Sequence, residues 1–416
     1  MTGGPHHEIW AASGAAWLTG HADGPPLAAP VALTARVGRA WERLSAAARS
    51  GGVAERWDAA GTDAMALLGE RAALSGLRRR GRRSCGGSTR LLRAADGWLA
   101  VALPRVDDLD LVPAWLGRDL ERWSTDPDDV DVDRLAAAVA SRSAAELGVR
   151  AALVGLAVGR LGEVRDRVAV QVLSHHVGPV RSRPPLVVDL SSLWAGPLCS
   201  GLLAQAGAAV IKVESTGRPD GLRRDPSGLF DLLTAGKRCV ALDLTDPSGV
   251  DDLRALLDAA EVVIECSRPR ALQQLGVVAE QSLTADRPKV WLSVTAHGRT
   301  AASGMRVGFG DDAAVAGGLV AWDAAGEPCF VADAVADPLT GLESAAAIAE
   351  AWVTGGSWLL DVALARVAAA AADGLTCPAV ALDEDDVARP RARPLPGVAP
   401  ALGAHTEEVL AELGRR

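Results

Sequence analysis

LVVDLSSLWAGPLCSGLLAQAGAAVIKVES, Leu186 to Ser215, decides how this chain is read. Leu186-Val187-Val188-Asp189-Leu190 is a short apolar run closed by two serines. Such a run, too short for a helix and rich in β-branched residues, reads as a buried strand. Ser191 to Pro197 reads as a turn, and Leu198 to Ala206 as a helix stopped by Gly207. Ala209-Val210-Ile211-Lys212-Val213-Glu214 reads as a second buried strand. Downstream, Val240 to Leu244, Glu261 to Glu265 and Val290 to Val294 repeat the strand pattern, with a helical stretch at Pro247 to Ala259. Apolar strands alternating with helices predict a parallel sheet covered on both faces. The expected fold class is therefore α/β, with an open, doubly wound domain.

Upstream of this unit lies GPVRSRPP, Gly178 to Pro185, whose Gly, Pro and Arg content reads as a linker. Before it, Ala35 to Ala48 and Asp133 to Leu161 have helical spacing, and Trp98 to Leu103 reads as a strand. This half is expected to be a smaller α+β domain. The expected organisation is 1–177, a linker at 178–185, the doubly wound domain and following helices at 186–375, and a strap at 376–416. The strap is rich in proline (Pro390, Pro394, Pro396, Pro400) and predicts an extended wrap over the surface.

The composition narrows the function. The 416 residues carry 43 Lys plus Arg against 52 Asp plus Glu, a net charge of −9, which disfavours nucleic-acid binding. Tyr and Asn are absent, and only Lys212, Lys237 and Lys289 are lysines, a pattern that fits a very GC-rich genome. Any tyrosine-dependent mechanism is excluded. No window resembles a membrane helix and MTGGPHHEIW has no signal-peptide character, so a cytoplasmic protein is expected. Six cysteines lie far apart without a C-x-x-C, which predicts free thiols and no metal. A dinucleotide fingerprint is not supported, because the turn has only Gly196 and Gly201. His175-His176 read as structural, and Cys266 as an inert thiol.

The opening stretch, followed in order by GKRCVALDLTDPSG (Gly236 to Gly249), ECSRPRALQQLG (Glu265 to Gly276), WLSVTAHG (Trp291 to Gly298) and RVGFGDDAAVAGGL (Arg306 to Leu319), resembles the family III CoA-transferases. The α-methylacyl-CoA racemases share that fold. The N-terminal half resembles the family's later part, in SGAAWLTGHADGPP, in SCGGSTRLLRAADGWLAVALPRVDD and in WSTDPDDVDVDRLAAAVASRSAAEL. The halves therefore read as permuted. A weak repeat between Ser13 to Pro26 and Gly317 to Pro328 fits an overlapping hinge.

The resemblance implies a homodimer that binds coenzyme A thioesters, with an acyl-CoA and a carboxylic acid as substrates. An aspartate attacks the thioester, in covalent catalysis by a carboxylate. The resemblance places that aspartate third in a Gly-aromatic-Asp triplet, which here is Gly308-Phe309-Gly310. Asp311 and Asp312 follow directly. Three readings stay open. Asp311 serves as the nucleophile by a one-residue slip; or Asp311, Asp312 or His297 moves a proton at the acyl α-carbon, as in an isomerase or racemase; or the chain binds CoA thioesters without chemistry of its own. Two carboxylates at that point are also what a helix N-terminus favours. The resemblance implies Lys237, Arg238 and Arg268 on the CoA phosphates, and His297 and Gly298 in a loop near the thioester.

Overall fold

The computed structural model describes residues 5–51, 57–58, 61–117, 130–181, 183–267, 269–283, 287–300, 302–373 and 379–415. Twelve strands are described, β1 (Thr89–Ala94), β2 (Gly97–Ala102), β3 (Ala157–Arg160), β4 (Val170–His176), β5 (Leu186–Asp189), β6 (Ala209–Ser215), β7 (Arg238–Leu242), β8 (Val262–Glu265), β9 (Val290–Thr295), β10 (Val320–Trp322), β11 (Pro328–Phe330) and β12 (Ser357–Ala363). The main helices are α1 (Val31–Ser50), α2 (Val106–Leu116), α3 (Val132–Ala140), α4 (Ala144–Val154), α5 (Ala195–Gln205), α6 (Pro247–Ala259), α7 (Gly310–Ala316), α8 (Ala336–Thr354), α9 (Leu364–Ala372) and α10 (Thr406–Glu412).

The protein is mixed α/β around one large sheet, ordered β4-β12-β9-β8-β5-β6-β7. Every neighbouring pair in it is parallel except β12 with the edge strand β4. The strands alternate their side chains between two cores, as the period of two requires. Val187, Val210 and Val262 face one core, with α5, α8, α9 and α1. Val188, Ile211 and Val263 face the other, with α6 and Val409 of α10. Double burial explains why these strands are continuous apolar runs rather than alternating ones.

The packing crosses the boundaries expected from composition. β4 precedes the Gly178–Pro185 linker yet completes the large sheet. α1 packs on α8, and Arg43 joins it to Glu350 (2.6 Å) and Glu343 (3.0 Å). The smaller core belongs to the antiparallel sheet β1-β2-β3 with α2, α3 and α4. Asp133 to Leu161, expected as one helical stretch, is α3, α4 and β3. The Ser143 hydroxyl accepts the Ala145 N–H (3.2 Å) and restarts the helix, and Gly155 at φ +81° ends it. After residue 379 the chain runs largely extended against the N-terminal segment, as where the Ala388 N–H donates to Ala11 O (2.9 Å). It then forms α10 beside β7, a helix the sequence reading did not anticipate. Among the described residues no helix is long and apolar enough to cross a membrane.

Candidate active site

In an open parallel sheet, the strands on either side of the point where the order reverses leave a crevice beyond their carboxyl ends. Here that point lies between β5 and β8. The turn after β5 is held by buried charge. Asp189 accepts the Ser191 N–H (2.9 Å), the hydroxyls of Ser191 and Ser200, and Lys237 Nζ (3.4 Å). Burial works against its charge, but Lys237 and Lys212 outweigh it and hold the Asp189 carboxyl below the usual range. Lys212 Nζ donates to Ser191 O and to Asp220, each at 2.9 Å. Asp220 in turn accepts the Leu193 N–H (3.2 Å), which pins Leu193 in the left-handed region at φ +68°. Beside this turn Cys266 Sγ accepts the Ser192 N–H (3.2 Å), and burial pushes its thiol up to about 11, so it stays neutral.

The residues expected on CoA phosphates are placed unevenly. Lys237 is 2% exposed, and its ammonium is committed to Pro197 O (2.9 Å) and Ser200 Oγ (2.6 Å) as well as Asp189. Burial lowers it to about 8, against the pull of Asp189. This is a core position, with the ammonium's donors turned to partners inside the protein. Arg238 is partly exposed and paired with Glu412 of α10 (2.7 Å). Arg268 lies outside the described residues.

The loop after β9 carries His297 and Gly298. Gly298 sits at φ +109°, and a Cβ there would lie 3.2 Å from Arg366 Nη1 and 3.5 Å from Asp361 Oδ2. Its N–H donates to Thr295 Oγ1 (2.9 Å), and the buried Asp361–Arg366 pair (2.8 Å) backs the loop. His297 is nearly buried, and burial with the nearby Arg306 lowers it to about 4, so the imidazole is neutral. Neither ring nitrogen has a hydrogen-bond partner among the described residues.

Asp311 and Asp312 open α7, as helix-start chemistry favours, but both are turned inward and their carboxylates part. Asp312 is fully buried; its Oδ1 accepts the Phe309 N–H (2.7 Å), and its Oδ2 has no partner among the described residues. Burial chiefly, with Asp311 adding, pushes it up to about 8. A Cβ on Gly308 would lie 3.0 Å from that Oδ2 and 3.5 Å from His297 Nε2, so both unpartnered groups face one spot.

Asp311 faces the other way. It accepts Thr89 Oγ1 (3.2 Å) from the small sheet and the Ala334 N–H (3.1 Å). With it stand Asp333 and Asp337, from the segment that starts α8, and one cation, Arg71, whose Nε donates to Asp333 at 2.8 Å. Ala332 and Ala334 flank Asp333 at φ +52° and +43°, an unusual conformation for alanine that the surrounding contacts hold in place. Burial and the Asp333 charge raise Asp311 to about 6, with Arg71 opposing. Asp337 is raised to about 7, first by burial and then by Asp311 and Asp333, again against Arg71. Asp311 is 7% exposed and Asp333 0%, and Asp337 is the least buried residue of the three.

Gly310 explains itself here. A Cβ on it would lie 2.3 Å from Ala334 O and 2.5 Å from Asp337 Oδ2, so the Asp337 carboxylate lies against the Gly310 backbone. The position expected to hold an aspartate is thus the floor under another one.

The model of CoA-transferase family III matches residues 185–405, more than half of the chain. The chain belongs to CoA-transferase family III. Among its relatives, the succinyl-CoA–D-citramalate CoA-transferase of Chloroflexus aurantiacus is 29% identical over 140 residues, 32% of this chain and 35% of that protein. The succinate–glutarate CoA-transferase of Agrobacterium fabrum is 31% identical over 212 residues, 45% of this chain and 53% of that protein. A CaiB/BaiF family protein from Brucella suis aligns in structure with a TM-score of 0.40 and 29% identity, covering 44% of this chain and 53% of that one. The chain spans between about a third and about half of the length of the two curated relatives.

In this family III chain, reading the sequence missed Asp337, Asp333, Arg71 and Thr89. The pair Asp333 and Asp337, four apart before a long Ala-rich helix, was a usable local signal. Arg71 and Thr89 had none, since they reach the cluster from more than 200 residues away along the chain.

Proposed function

We propose that this chain moves CoA between an acyl-CoA thioester and a carboxylic acid, with the acyl group carried in transit on Asp337. The observation that supports it is the least buried residue of the three aspartates, with its carboxylate against Gly310 and near one guanidinium. The ionised Asp337 attacks the thioester carbonyl, giving a mixed anhydride and the CoA thiolate. The thiolate then attacks the aspartyl carbonyl, which forms an enzyme-linked thioester and frees the donor acid. The acceptor carboxylate reverses both steps and leaves as the new acyl-CoA, with Asp337 regenerated. Asp311 and Asp333 raise Asp337 through their charge, and Arg71 opposes them.

Within this reading the large sheet is Rossmann-like, and CoA enters at the carboxyl ends of β5 and β8. Arg268 and Arg238 are the candidates for its phosphates, and the His297–Gly298 loop for the thioester end. The halves are read as permuted around the hinge, and the protein as a cytoplasmic homodimer. A second reading draws on the unpartnered pair, neutral His297 beside Asp312 Oδ2, which suits proton transfer at the acyl α-carbon.

Trapping separates the two. The purified protein is incubated with succinyl-CoA, a donor suggested by the relatives' names, then treated with hydroxylamine, and the modified peptide is mapped by mass spectrometry. An adduct on Asp337 is expected. An adduct confined to Asp311 or Asp312 would move the nucleophile. Deuterium uptake at the α-carbon without an adduct would support proton transfer instead, and CoA binding with neither outcome would overturn both readings.

A further inference from the structure

We propose that His21, Asp323 and Cys329, outside the carboxylate cluster, form a binding site for a divalent transition cation, zinc(II) in the first instance. The proposal is independent of the CoA-transfer reading. The three residues offer a nitrogen, an oxygen and a sulfur whose atoms all lie within 4.8 Å of one another. Sequence spacing hid them, because His21 stands 302 residues before Asp323.

The direction of the contacts argues for a cation rather than a nucleophile. A Cys–His–Asp relay needs the thiol on one imidazole nitrogen and the carboxylate on the other. Here Nε2 of His21 meets both, Asp323 Oδ2 at 2.8 Å and Cys329 Sγ at 3.4 Å. Three donors converging on one point suit an ion at that point. With Zn–S of about 2.3 Å and Zn–N or Zn–O of about 2.0–2.2 Å, tetrahedral ligands stand about 3.3–3.6 Å apart. The nitrogen–sulfur separation is already there, and the nitrogen–oxygen one has to open by roughly half an ångström.

The ligands are held by their surroundings. A Cβ on Gly81 would lie 2.4 Å from His21 Nδ1, so the Gly81 backbone lies against the ring edge. The Gly81 N–H donates to Gly20 O (2.8 Å), and its carbonyl accepts the Phe330 N–H (3.0 Å), next to Cys329 on β11. Asp323 Oδ1 accepts the N–H groups of Ala325 and Glu327, each at 2.9 Å, which leaves Oδ2 for the ion. Cys329 is fully buried while the His21 side chain is 43% exposed, so the site is anchored inside and reached from outside. A cavity of about 350 Å³, lined by His21, Asp323, Leu27 and Ala381 among others, adjoins it. It leaves room for water or a small anion as the fourth ligand, as in open zinc sites. On binding, the Cys329 thiol gives its proton to solvent and the thiolate takes the metal.

The test uses the full chain, stripped with chelator and titrated with cobalt(II). We expect one cobalt per chain, a thiolate-to-cobalt charge-transfer band and the visible intensity of a four-coordinate ion, all displaced by zinc(II). Cys329→Ser abolishes the band, and Cys266→Ser, a thiol remote from the cluster, leaves it. His21→Ala, at a half-exposed position that folding tolerates, lowers cobalt affinity by at least about 100-fold, the upper end of what losing even a supporting contact costs. Absence of the band in the unaltered protein overturns the proposal. So does a band that survives Cys329→Ser, or a cobalt affinity that His21→Ala leaves unchanged; should Cys329→Ser fail to fold by circular dichroism, His21→Ala decides alone.

Discussion

Adding one methyl group at Gly310 tests the carboxylate cluster directly. A Cβ there would stand 2.3 Å from Ala334 O, where ordinary contact begins near 3.4 Å, so Ala334 has to retreat by about 1 Å. Ala334 has little freedom to do so. It already sits at φ +43°, its N–H donates to Asp311, and its carbonyl accepts the Asp337 N–H at 2.8 Å. Overpacking costs about 1–3 kcal/mol, and weakening two hydrogen bonds adds about 1 kcal/mol. Gly310→Ala should therefore lose roughly 2–4 kcal/mol. Gly38 is the control, since it also lies in a helix but has nothing within 4 Å of its would-be Cβ. Gly38→Ala should gain about 0.4–1 kcal/mol from lowered chain entropy. Urea unfolding of the two variants at one pH reads both signs. Because the same Cβ would lie 2.5 Å from Asp337 Oδ2, acyl trapping on Asp337 should fall in Gly310→Ala as well. Gly310→Asp, which restores the residue the family pattern leads one to expect, should be worse still, placing a fourth carboxyl beside three. Undiminished stability with undiminished trapping in Gly310→Ala would refute the packing argument.

Further expectations concern charge. Asp337, raised to about 7, must be ionised to attack, so transfer activity should fall as pH drops through 7, and Asp337→Asn should abolish turnover and adduct; a rate flat from about pH 5.5 to 8 speaks against it. Asp312 holds its proton in the folded state up to about 8 but ionises near 3.8 when unfolded, so its contribution is intact below about pH 4 and is lost as pH rises toward 8. Asp312→Asn mimics the protonated form and keeps the acceptor for Phe309 N–H. Its stability advantage over the unaltered protein should widen from pH 5 to 8, at up to about 1.4 kcal/mol per pH unit, and a gap independent of pH in urea titrations would contradict this. Lys237→Ala leaves Asp189 buried beside two hydroxyls without its nearest cation and should cost about 3–5 kcal/mol. A stable Lys237→Ala with a raised KM for acyl-CoA would instead put that ammonium on the CoA phosphates.

The large sheet was legible because each strand is a local signal. Val187 faces one core while Val188 and Ile211 face the other, and only a doubly buried strand tolerates that much apolar surface. β4 was not legible. It is an edge strand with Val172 and Leu173 exposed, and its place beside β12 depends on a pairing with residues 357–363 that no local pattern announces. The site divides the same way. His297, Gly298 and the two aspartates were singled out from motif order, and their placement at the end of β9 and the start of α7 follows from local turn and cap chemistry. How the acids are placed was decided by Thr89 and Arg71, which come from distant segments, and by Ala334 beside Asp333. An ordered motif can say where a loop is but not which of several acids within it faces inward.

The scarcity of lysine carries more structure than genome bias alone would suggest. In a chain with 43 basic residues, the only three lysines are 0%, 2% and 5% exposed: Lys212, Lys237 and Lys289. An ammonium is a compact group with three donors, while a guanidinium brings five in a rigid fork. Lys212 meets Ser191 O and Asp220, and Lys289 donates to Leu257 O. A buried arginine needs a wider ring of acceptors; Arg79 has one, made of the carbonyls of Trp17, His21 and Gly24 and the Glu384 carboxylate. Each donor left over in the interior costs about 1–3 kcal/mol, so arginine can replace lysine at the surface but not in these three places. Lys237 reaches the candidate CoA crevice by that route. It neutralises Asp189, Asp189 holds Ser191, and Ser191 begins the turn that borders the crevice at the end of β5.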